Sequence, residues 1–317
     1  MMVVSVLIPG FNAESTIAET LESVLCQTYS NFELILINDG STDRTPEIMA
    51  SYSQKDSRVQ LISHKKMGMG ASLNAAIPLA RGEWIVRMDA DDVMMPNRIE
   101  RQLAFVPEHP DIAVASSLVY YINDNGRIIG KSYSNLRTRE HFQEYLDRSE
   151  TIGFNHPAVI LKKSVFLKVG GFRPQFWPAD DLDLWNRIAE QGHLILVQQE
   201  YLLKYRIHAS SVSISHARKA TLMTAWMKQC MIHRRGGLPE PSLGEFLDTE
   251  RAHPMWVRLN RRRKEFAKIL YKAAVYSYSK RQHLKAVTIM LACLLLQPSY
   301  CVKQVLHKSL LFGKGVE

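Results

Sequence analysis

The sequence predicts an α/β protein whose sheet is mixed but mostly parallel and is flanked by helices. Two short runs rich in β-formers, Val3–Ile8 and Phe32–Asn38, are separated by apolar residues at helical spacing between positions 17 and 25. This pattern is a βαβ unit, which places both strands in a parallel sheet. A later apolar run, Trp84–Met88, ends in clustered carboxylates, and the carboxyl ends of parallel strands are where such sheets bind ligands.

The rest of the chain continues this alternation and then becomes helical. The predicted elements are a strand at Val59–Ser63, helices at Ala71–Leu79, Pro96–Phe105 and Leu182–Glu190, a turn at Asn123–Gly126, and strands at Ile112–Tyr121, Leu194–Val197 and Leu202–Tyr205. We expect the sheet to acquire antiparallel members after residue 112. From about His216 the pattern is helical to the end.

Charge divides the chain into two regions. The 317 residues are 46% hydrophobic and 22% charged, an ordinary globular composition that gives no reason to expect disorder. Residues 216–317 hold 19 Lys and Arg against 6 Asp and Glu, whereas residues 1–215 hold 21 against 25. We therefore predict an α/β domain at 1–215 and a basic, mostly helical region at 216–317.

Cysteine usage and hydropathy indicate the compartment. The four cysteines form no C-x-x-C pair, which argues against a zinc knuckle or a disulfide framework and fits a reducing compartment. The apolar start has no basic segment ahead of it and is cut short at Pro9, unlike a signal peptide. The apolar run Ala286–Leu296 is shorter than the roughly 20 residues that span a bilayer. We expect a cytoplasmic protein without a transmembrane helix.

Two acidic stations follow predicted strands. Asp39 ends the second strand, and Gly40 after it lets the backbone approach a ligand; a helix cap is the alternative interpretation. Asp89, Asp91 and Asp92 lie within four residues, and their mutual repulsion is tolerated most readily where a cation offsets it. Oxygen ligands suit Mg²⁺ or Mn²⁺ better than Zn²⁺. A solvated acidic turn is the alternative.

A third acidic station opens the Leu182–Glu190 helix. Asp180 and Asp181 stand directly before it. An ordinary N-cap is the alternative reading of a carboxylate at this place. Asp181 is a candidate for chemistry in combination with the other two stations.

Six blocks of this sequence, in order, resemble the signature of the family 2 glycosyltransferases. They are Val6–Asn12, Ser23–Tyr29, Asn38–Asp43, Arg81–Trp84, Met88–Asp92 and Asp180–Trp185. The resemblance implies a GT-A fold, a Rossmann-like α/β domain that binds a nucleotide-diphosphate sugar at the carboxyl ends of its first strands.

The same resemblance implies roles for individual residues. Asp181 would be the catalytic base, and Asp91 the principal ligand of a Mn²⁺ or Mg²⁺ ion, with Asp89 and His208 beside it. The acceptor side would include His156, Trp177, Asp180 and Trp185, for which plain packing is the alternative. The residues implied for the nucleotide-sugar side are Pro9, Phe11, Asn12, Glu14, Asp39, Gly40, Ser41, Gly70, Asn74, Asp89, Ala90 and Arg206.

The reaction implied is metal-dependent, inverting transfer of a sugar to a hydroxyl of a glycan or lipid-linked acceptor, in surface polysaccharide synthesis. UDP is the expected donor nucleotide. The basic C-terminal helices predict peripheral contact with the inner face of the cell membrane. We expect no nucleic-acid partner, because interleaved aromatic stacking residues are sparse there.

The sequence departs from the family pattern at three places. Asp180-Asp181 stands where Glu-Asp is usual, which shortens the first carboxylate and leaves the implied base intact. Asn38 replaces a common Asp, and Leu73 stands where many relatives carry Arg. The departure at Leu73 puts diphosphate contacts from that helix in doubt.

Two other function classes compete with this hypothesis. A haloacid-dehalogenase-type phosphatase would use Asp89 as nucleophile and Asp180-Asp181 as magnesium ligands, but it would leave Asp39 without a role. A non-enzymatic adaptor would bind a membrane or nucleic acid through basic segments such as Arg258–Lys264. For those segments, solvated helix faces are the alternative reading.

Overall fold

The computed structural model describes residues 4–208, 215–279 and 282–302. The chain forms two compact units, one of residues 1–122 with 132–206 and one of residues 123–131 with 207–317. The predicted domain boundary at residue 215 stays a prediction.

The first unit alternates strands and helices as predicted. Its strands are β1 (Val4–Gly10), β2 (Phe32–Asp39), β3 (Val59–His64), β4 (Trp84–Arg87), β5 (Val93–Met94), β6 (Ile112–Ile122), β8 (Ile160–Lys162) and β9 (Leu194–Arg206). Its helices are α1 (Ile17–Leu25), α2 (Thr45–Lys55), α3 (Met69–Ala76), α4 (Arg98–Phe105), α5 (Arg139–Asp147), α6 (Lys163–Lys168) and α7 (Asp180–Glu190). The predicted Ala71–Leu79 helix thus ends at Ala76 and continues as a 3₁₀ turn.

The sheet is mixed, in the order β3-β2-β1-β4-β8-β6-β9-β5. The strands β3, β2, β1 and β4 run parallel, and Gly10 pairs with Asn38 so that β1 and β2 end side by side. The strand β8 is antiparallel to both β4 and β6, which confirms the antiparallel members expected after residue 112. Both β1 and β2 are buried along their whole length, as central parallel strands are.

One expectation for the sheet was wrong. The predicted strands Leu194–Val197 and Leu202–Tyr205 are a single strand, β9. It pairs in parallel with β6, and the pairing shifts between Ser117 and Leu118. Because such a bulge lets a strand absorb extra residues without ending, the polar residues 198–200 interrupt the hydrophobic pattern but not the strand.

The second unit is mostly helical, as predicted. It contains the short strand β7 (Ile128–Lys131) and helices α8 (Ala217–Arg235), α9 (Leu243–Ala252), α10 (Met255–Ser279) and α11 (His283–Leu296). Helices α10 and α11 share a small core that includes Ala267, Tyr271, Cys293 and Cys301. Among the described residues, none of the helices has the length and apolar character that crossing a membrane requires.

Candidate active site

The loops after β1 and β2 are joined by hydrogen bonds. The backbone N–H of Asn12 donates to Ser41 Oγ at 3.1 Å, and Asn12 Oδ1 accepts from the Thr42 N–H at 2.8 Å. Farther along, Glu14 Oε2 accepts from the Arg44 N–H at 3.0 Å. Asn12 has a φ of 51°, a left-handed conformation that Asn tolerates. The predicted nucleotide-side residues of both loops therefore lie together at one sheet edge.

An aromatic face is available beside these loops. Pro9 is buried near the end of β1 and leads into Phe11, whose side chain is 40% exposed. The Lys66 ammonium lies 3.5 Å from the centroid of the Phe11 ring, within the range of a cation–π interaction. Phe11 is thus a solvent-facing ring beside a positive charge.

Asp39 is held by the backbone of the loop that follows β3. Its Oδ1 accepts from the Met67 N–H at 2.8 Å and its Oδ2 from the Gly68 N–H at 2.9 Å. Gly40 has a φ of +71°, and a Cβ there would stand 2.6 Å from the Lys66 nitrogen. The station after β2 therefore fixes the loop that leads into α3, and only glycine fits its tight turn.

The acidic cluster after β4 has the donor set of a cation site. One carboxylate oxygen from each of Asp89, Asp91 and Asp92 lies within 4.8 Å of the others. Asp92 is fully buried, and that burial, followed by the charges of Asp91 and Asp89, raises the pKa of its carboxyl well above the usual range.

The burial of Asp92 is informative about what the cluster binds. Its Oδ1 accepts from the Arg206 N–H at 2.8 Å, while Oδ2 is buried without a hydrogen-bond partner. A buried carboxylate oxygen without a partner costs free energy unless a proton or a cation satisfies it. The carboxylates here are hard oxygen donors that suit Mg²⁺ or Mn²⁺. The set includes Asp92, for which the family resemblance implied no ligand role, while the roles of Asp89 and Asp91 as ligands stay predictions.

His208 is the third predicted metal ligand. It is half-buried and lies in the second unit, two residues after β9. Its role as a ligand stays a prediction.

Arg87 is a functional candidate that the sequence reading missed. It lies on β4 with only 3% of its surface exposed, and its Nη2 donates to Asp89 Oδ1. Its Nε and Nη1 are buried without hydrogen-bond partners. The signal was present in the sequence, since Arg87 is the one charged residue in the apolar run Trp84–Met88. A buried cation in such a run is tolerated mainly where carboxylates face it.

The third acidic station stands at the start of α7. Asp181 is half-buried, and its Oδ1 accepts from the Leu182 N–H at 2.7 Å. Burial, followed by the neighbouring Asp181 charge, raises the pKa of Asp180 to about 7. Asp180 therefore keeps its proton up to about neutral pH, and Asp181 remains the predicted base at this station.

His156 faces this station from the residues before β8. Its Nδ1 lies 3.5 Å from Asp181 Oδ2, and its ring lies 5.5 Å from those of both Phe172 and Trp185. Burial, with a smaller contribution from Arg87, lowers the pKa of His156, so its neutral form is favoured. Trp185 is 1% exposed, and it packs against the His156 ring. Direct contacts of His156, Asp180 and Trp185 with an acceptor stay predictions. Trp177 is half-buried before α7, and its role too stays a prediction.

All three acidic stations meet at the start of α3. Gly68 binds Asp39, and the sulfur of the next residue, Met69, lies 2.6 Å from Arg87 Nη2, which also holds Asp89. One residue later, a Cβ built on Gly70 would stand 2.5 Å from Asp180 Oδ2. Three successive residues at the start of α3 thus lie next to Asp39, next to the Arg87 partner of Asp89, and next to Asp180.

Other predicted donor-side residues hold the loops around these acids in place. Arg206 is 4% exposed; its Nε donates to Asp91 O at 2.7 Å, and its Nη2 pairs with Glu19 at 2.5 Å. Asn74 exchanges two hydrogen bonds of 2.8 Å with the backbone of Phe172. Ala90 O accepts from Thr16 Oγ1 at 3.0 Å. These contacts fix the loops around the acids, and direct contacts of these residues with a donor stay predictions.

A family model and curated relatives match this sequence. The family model described as glycosyl transferase family 2 matches residues 5–170. An uncharacterized glycosyltransferase of Methanocaldococcus jannaschii is 30% identical over 232 residues, which cover 70% of this chain and 79% of that protein. The UDP-Glc:alpha-D-GlcNAc-diphosphoundecaprenol beta-1,3-glucosyltransferase WfgD of Escherichia coli is 28% identical over 212 residues, 66% of this chain and 79% of WfgD.

Solved structures match the fold over most of the chain. Staphylococcus aureus TarS 1–349 in complex with UDP has a TM-score of 0.55 at 16% identity, covering 94% of this chain and 91% of TarS 1–349. The mannosyltransferase PcManGT from Pyrobaculum calidifontis, in complex with GDP-Man and Mn²⁺, has a TM-score of 0.54 at 16% identity, covering 97% and 79%. The family match over residues 5–170 and this shared architecture show that the chain belongs to glycosyltransferase family 2 and has the GT-A fold.

Proposed function

We propose that this glycosyltransferase is metal-dependent and inverting, and that it moves a sugar from a nucleotide-diphosphate sugar to a hydroxyl of a glycan or lipid-linked acceptor. The proposal is supported by the start of α3, where Gly68, Met69 and Gly70 lie next to Asp39, Arg87 and Asp180. A nucleotide end, a cation site and a base arranged around this segment would be within reach of one ligand.

The donor would lie along the ends of β1 and β2. Asp39, held by two backbone N–H groups, presents a fixed carboxylate edge to a base, and the exposed Phe11 ring offers a stacking face. UDP is the nucleotide we propose, since TarS was solved with UDP and the name of WfgD gives UDP-Glc as donor. PcManGT, solved with GDP-Man, is the counterexample that a donor panel must address.

Asp89, Asp91 and Asp92 would hold Mn²⁺ or Mg²⁺. The ion, when bound, supplies positive charge that stabilises the departing diphosphate. Arg87 keeps Asp89 in place, and Arg206 keeps the Asp91 carbonyl and the Asp92 carboxyl in place. His208 as a further ligand belongs to the same proposal.

Asp181 would be the proton acceptor. As the acceptor oxygen forms its bond to the anomeric carbon, the bond from that carbon to the diphosphate oxygen breaks, and the hydroxyl proton passes to Asp181. The single displacement inverts the anomeric configuration and requires no covalent enzyme intermediate. Burial lowers the pKa of His156 and favours its neutral form. A neutral His156 would position the Asp181 carboxylate without neutralising its negative charge.

The acceptor and the location follow from the relatives by analogy. The name of WfgD specifies a diphosphoundecaprenol-linked acceptor, and other relatives include an O-antigen biosynthesis glycosyltransferase of Escherichia coli. We propose a surface polysaccharide or lipid-linked glycan as the acceptor and the inner face of the cell membrane as the place of work. Membership of family 2 leaves the phosphatase and non-enzymatic hypotheses without support.

A panel of UDP-, GDP- and dTDP-sugars tests the proposal. We expect metal-dependent release of the nucleotide diphosphate from one donor class, lost by at least about a hundredfold in Asp91→Ala and Asp181→Asn. The exposed Asp147 provides a matched Asp→Asn control that should keep full activity. Full turnover by both site variants, or turnover unaffected by a chelator, would overturn the assignment.

A further inference from the structure

Helix α11 presents an apolar stripe to solvent. Leu284, Val287, Leu291 and Leu295 recur at helical spacing, and Leu284 and Leu295 are 84% and 87% exposed. Thr288 lies on the same side, and its hydroxyl donates to Leu284 O at 3.0 Å, so its hydrogen bond is made within the helix. The stripe is therefore an apolar surface on which the Thr288 hydroxyl needs no hydrogen-bond partner from outside the helix.

This stripe is not the face that holds α10 and α11 together. Ala286 and Cys293 lie on the opposite side of α11 and are buried, and Cys293 belongs to the small core formed with Ala267 and Tyr271 of α10. The packing of the two helices is thus complete without the four stripe residues. Their exposure needs another explanation, because contiguous exposed apolar surface marks an interaction site.

Helix α10 adds a second apolar row with cations beside it. Met255, Leu259 and Phe266 share one face by their spacing and are more than half exposed. Residues 255–296 contain ten Lys and Arg against a single acid, Glu265. The exposed cations described along α10 are Arg258, Arg261, Arg262, Arg263, Lys264 and Lys268.

We propose that helices α10 and α11 form a membrane-docking surface that lies on an anionic lipid bilayer. The leucines of α11 and the apolar row of α10 would enter the boundary between headgroups and acyl chains, while the cations contact lipid phosphates. This deepens the proposed peripheral location by naming the surface, and it stands apart from the transfer chemistry. A bilayer is the partner that supplies both complementary features at once.

Other occupants match only half of this surface. A nucleic acid would pair with the cations but offers nothing to four outward leucine and valine side chains. A second copy of this chain would cover the apolar stripe but would bring a second cationic face against the first, which repels. Charge complementarity therefore selects an anionic lipid surface.

Vesicle co-sedimentation of the full chain tests the docking surface. Vesicles of phosphatidylglycerol mixed with phosphatidylcholine should bind the protein, and pure phosphatidylcholine vesicles should bind it far more weakly. The double variant Leu291→Glu/Leu295→Glu should lose roughly tenfold or more of the binding to the mixed vesicles. Trp256, which is 72% exposed, should shift its fluorescence to the blue on binding, and the shift should vanish in Trp256→Phe.

A matched control and an independent readout keep the test decisive. Leu238→Glu replaces another leucine of the second unit, 58% exposed and outside the stripe, and should bind vesicles like the unaltered protein. Nucleotide release from the donor should persist in the double variant, so failed docking and failed catalysis are distinguishable. Unchanged vesicle binding by the double variant would overturn the proposal. So would a dimer in light scattering that the double variant abolishes, with no vesicle binding by the unaltered protein.

Discussion

The two units of this enzyme use charge in opposite ways. In the first unit Arg87, Asp92, Arg98 and Asp183 are each at most 3% exposed. Ion pairs join distant parts of the chain, as Arg206 and Glu19 do. Among the described residues of the second unit no charged residue is buried as a whole, although both Nη atoms of Arg235 are. Charge in the first unit acts through the position of each group, and in the second through the number of like charges on a surface.

This difference predicts how much a single substitution matters. Removing one partner of a buried pair leaves the other charged and desolvated, which costs several kcal/mol. Removing one of many exposed cations costs only about a few tenths of a kcal/mol of stability, since water and salt already screen its charge.

Arg87→Met should be the most damaging change. It leaves Asp89 without its buried cation and should lower the free energy of unfolding by about 3 kcal/mol or more. Urea denaturation measures this, with the exposed Arg137→Met as the matched control. Equal stability of the two variants would break the distinction between the units.

His156→Phe tests whether a buried neutral side chain positions the base. We expect kcat to fall by about a hundredfold with the donor KM unchanged, because Asp181 loses a neighbour 3.5 Å away. His156→Gln keeps an N–H donor and should recover most of the rate. If Gln is no better than Phe, His156 is only a packing residue.

The stability of Asp180→Asn should depend on pH. The pKa of Asp180 is raised to about 7 in the folded protein. In the unfolded chain the Asp180 carboxyl ionises at lower pH, about 4. The unaltered protein therefore loses stability as pH rises from about 4 to 7. Asparagine does not ionise, and the variant should be more stable above pH 7 by on the order of 2 kcal/mol, allowing for partial exposure. Thermal unfolding at pH 4.5 and 8 measures it, and an equal gain at both values would contradict the pKa assignment.

Arg262→Gln should be the mildest change. Its guanidinium is exposed on α10, and we expect less than about 0.5 kcal/mol in the free energy of unfolding. Vesicle binding at low salt should weaken only a few-fold. A loss as large as that of Arg87→Met would show that the second unit also relies on individually placed charges.

Much of the first unit was predictable because its signals are local. The strand-end acids Asp39 and Asp91 follow apolar runs directly, and the helix at Asp180–Glu190 has a normal amphipathic pattern. The continuity of β9 was not predictable, since the bulge in its pairing with β6 depends on another strand. Local periodicity carries no information about such shifts.

The convergence of the stations was less predictable. Arg87 and Asp180 meet the start of α3 through Met69 and Gly70, contacts between residues that lie 18 or more positions apart. The predicted site residues were chosen by resemblance, which marks positions that touch a ligand but not those that hold them. Arg87 holds Asp89 in the acidic cluster, so it was overlooked.

The grip of Met67 and Gly68 on Asp39 has a consequence for engineering donor choice. The end of β2 and the residues before α3 are joined by these two hydrogen bonds. Replacing one segment alone would therefore remove hydrogen bonds that hold the other. Chimeras that exchange residues 37–70 as one segment between relatives should retain turnover. Chimeras with a junction inside this segment should fold but should hold the two loops less firmly. We therefore expect donor preference to transfer with residues 37–70 as a whole.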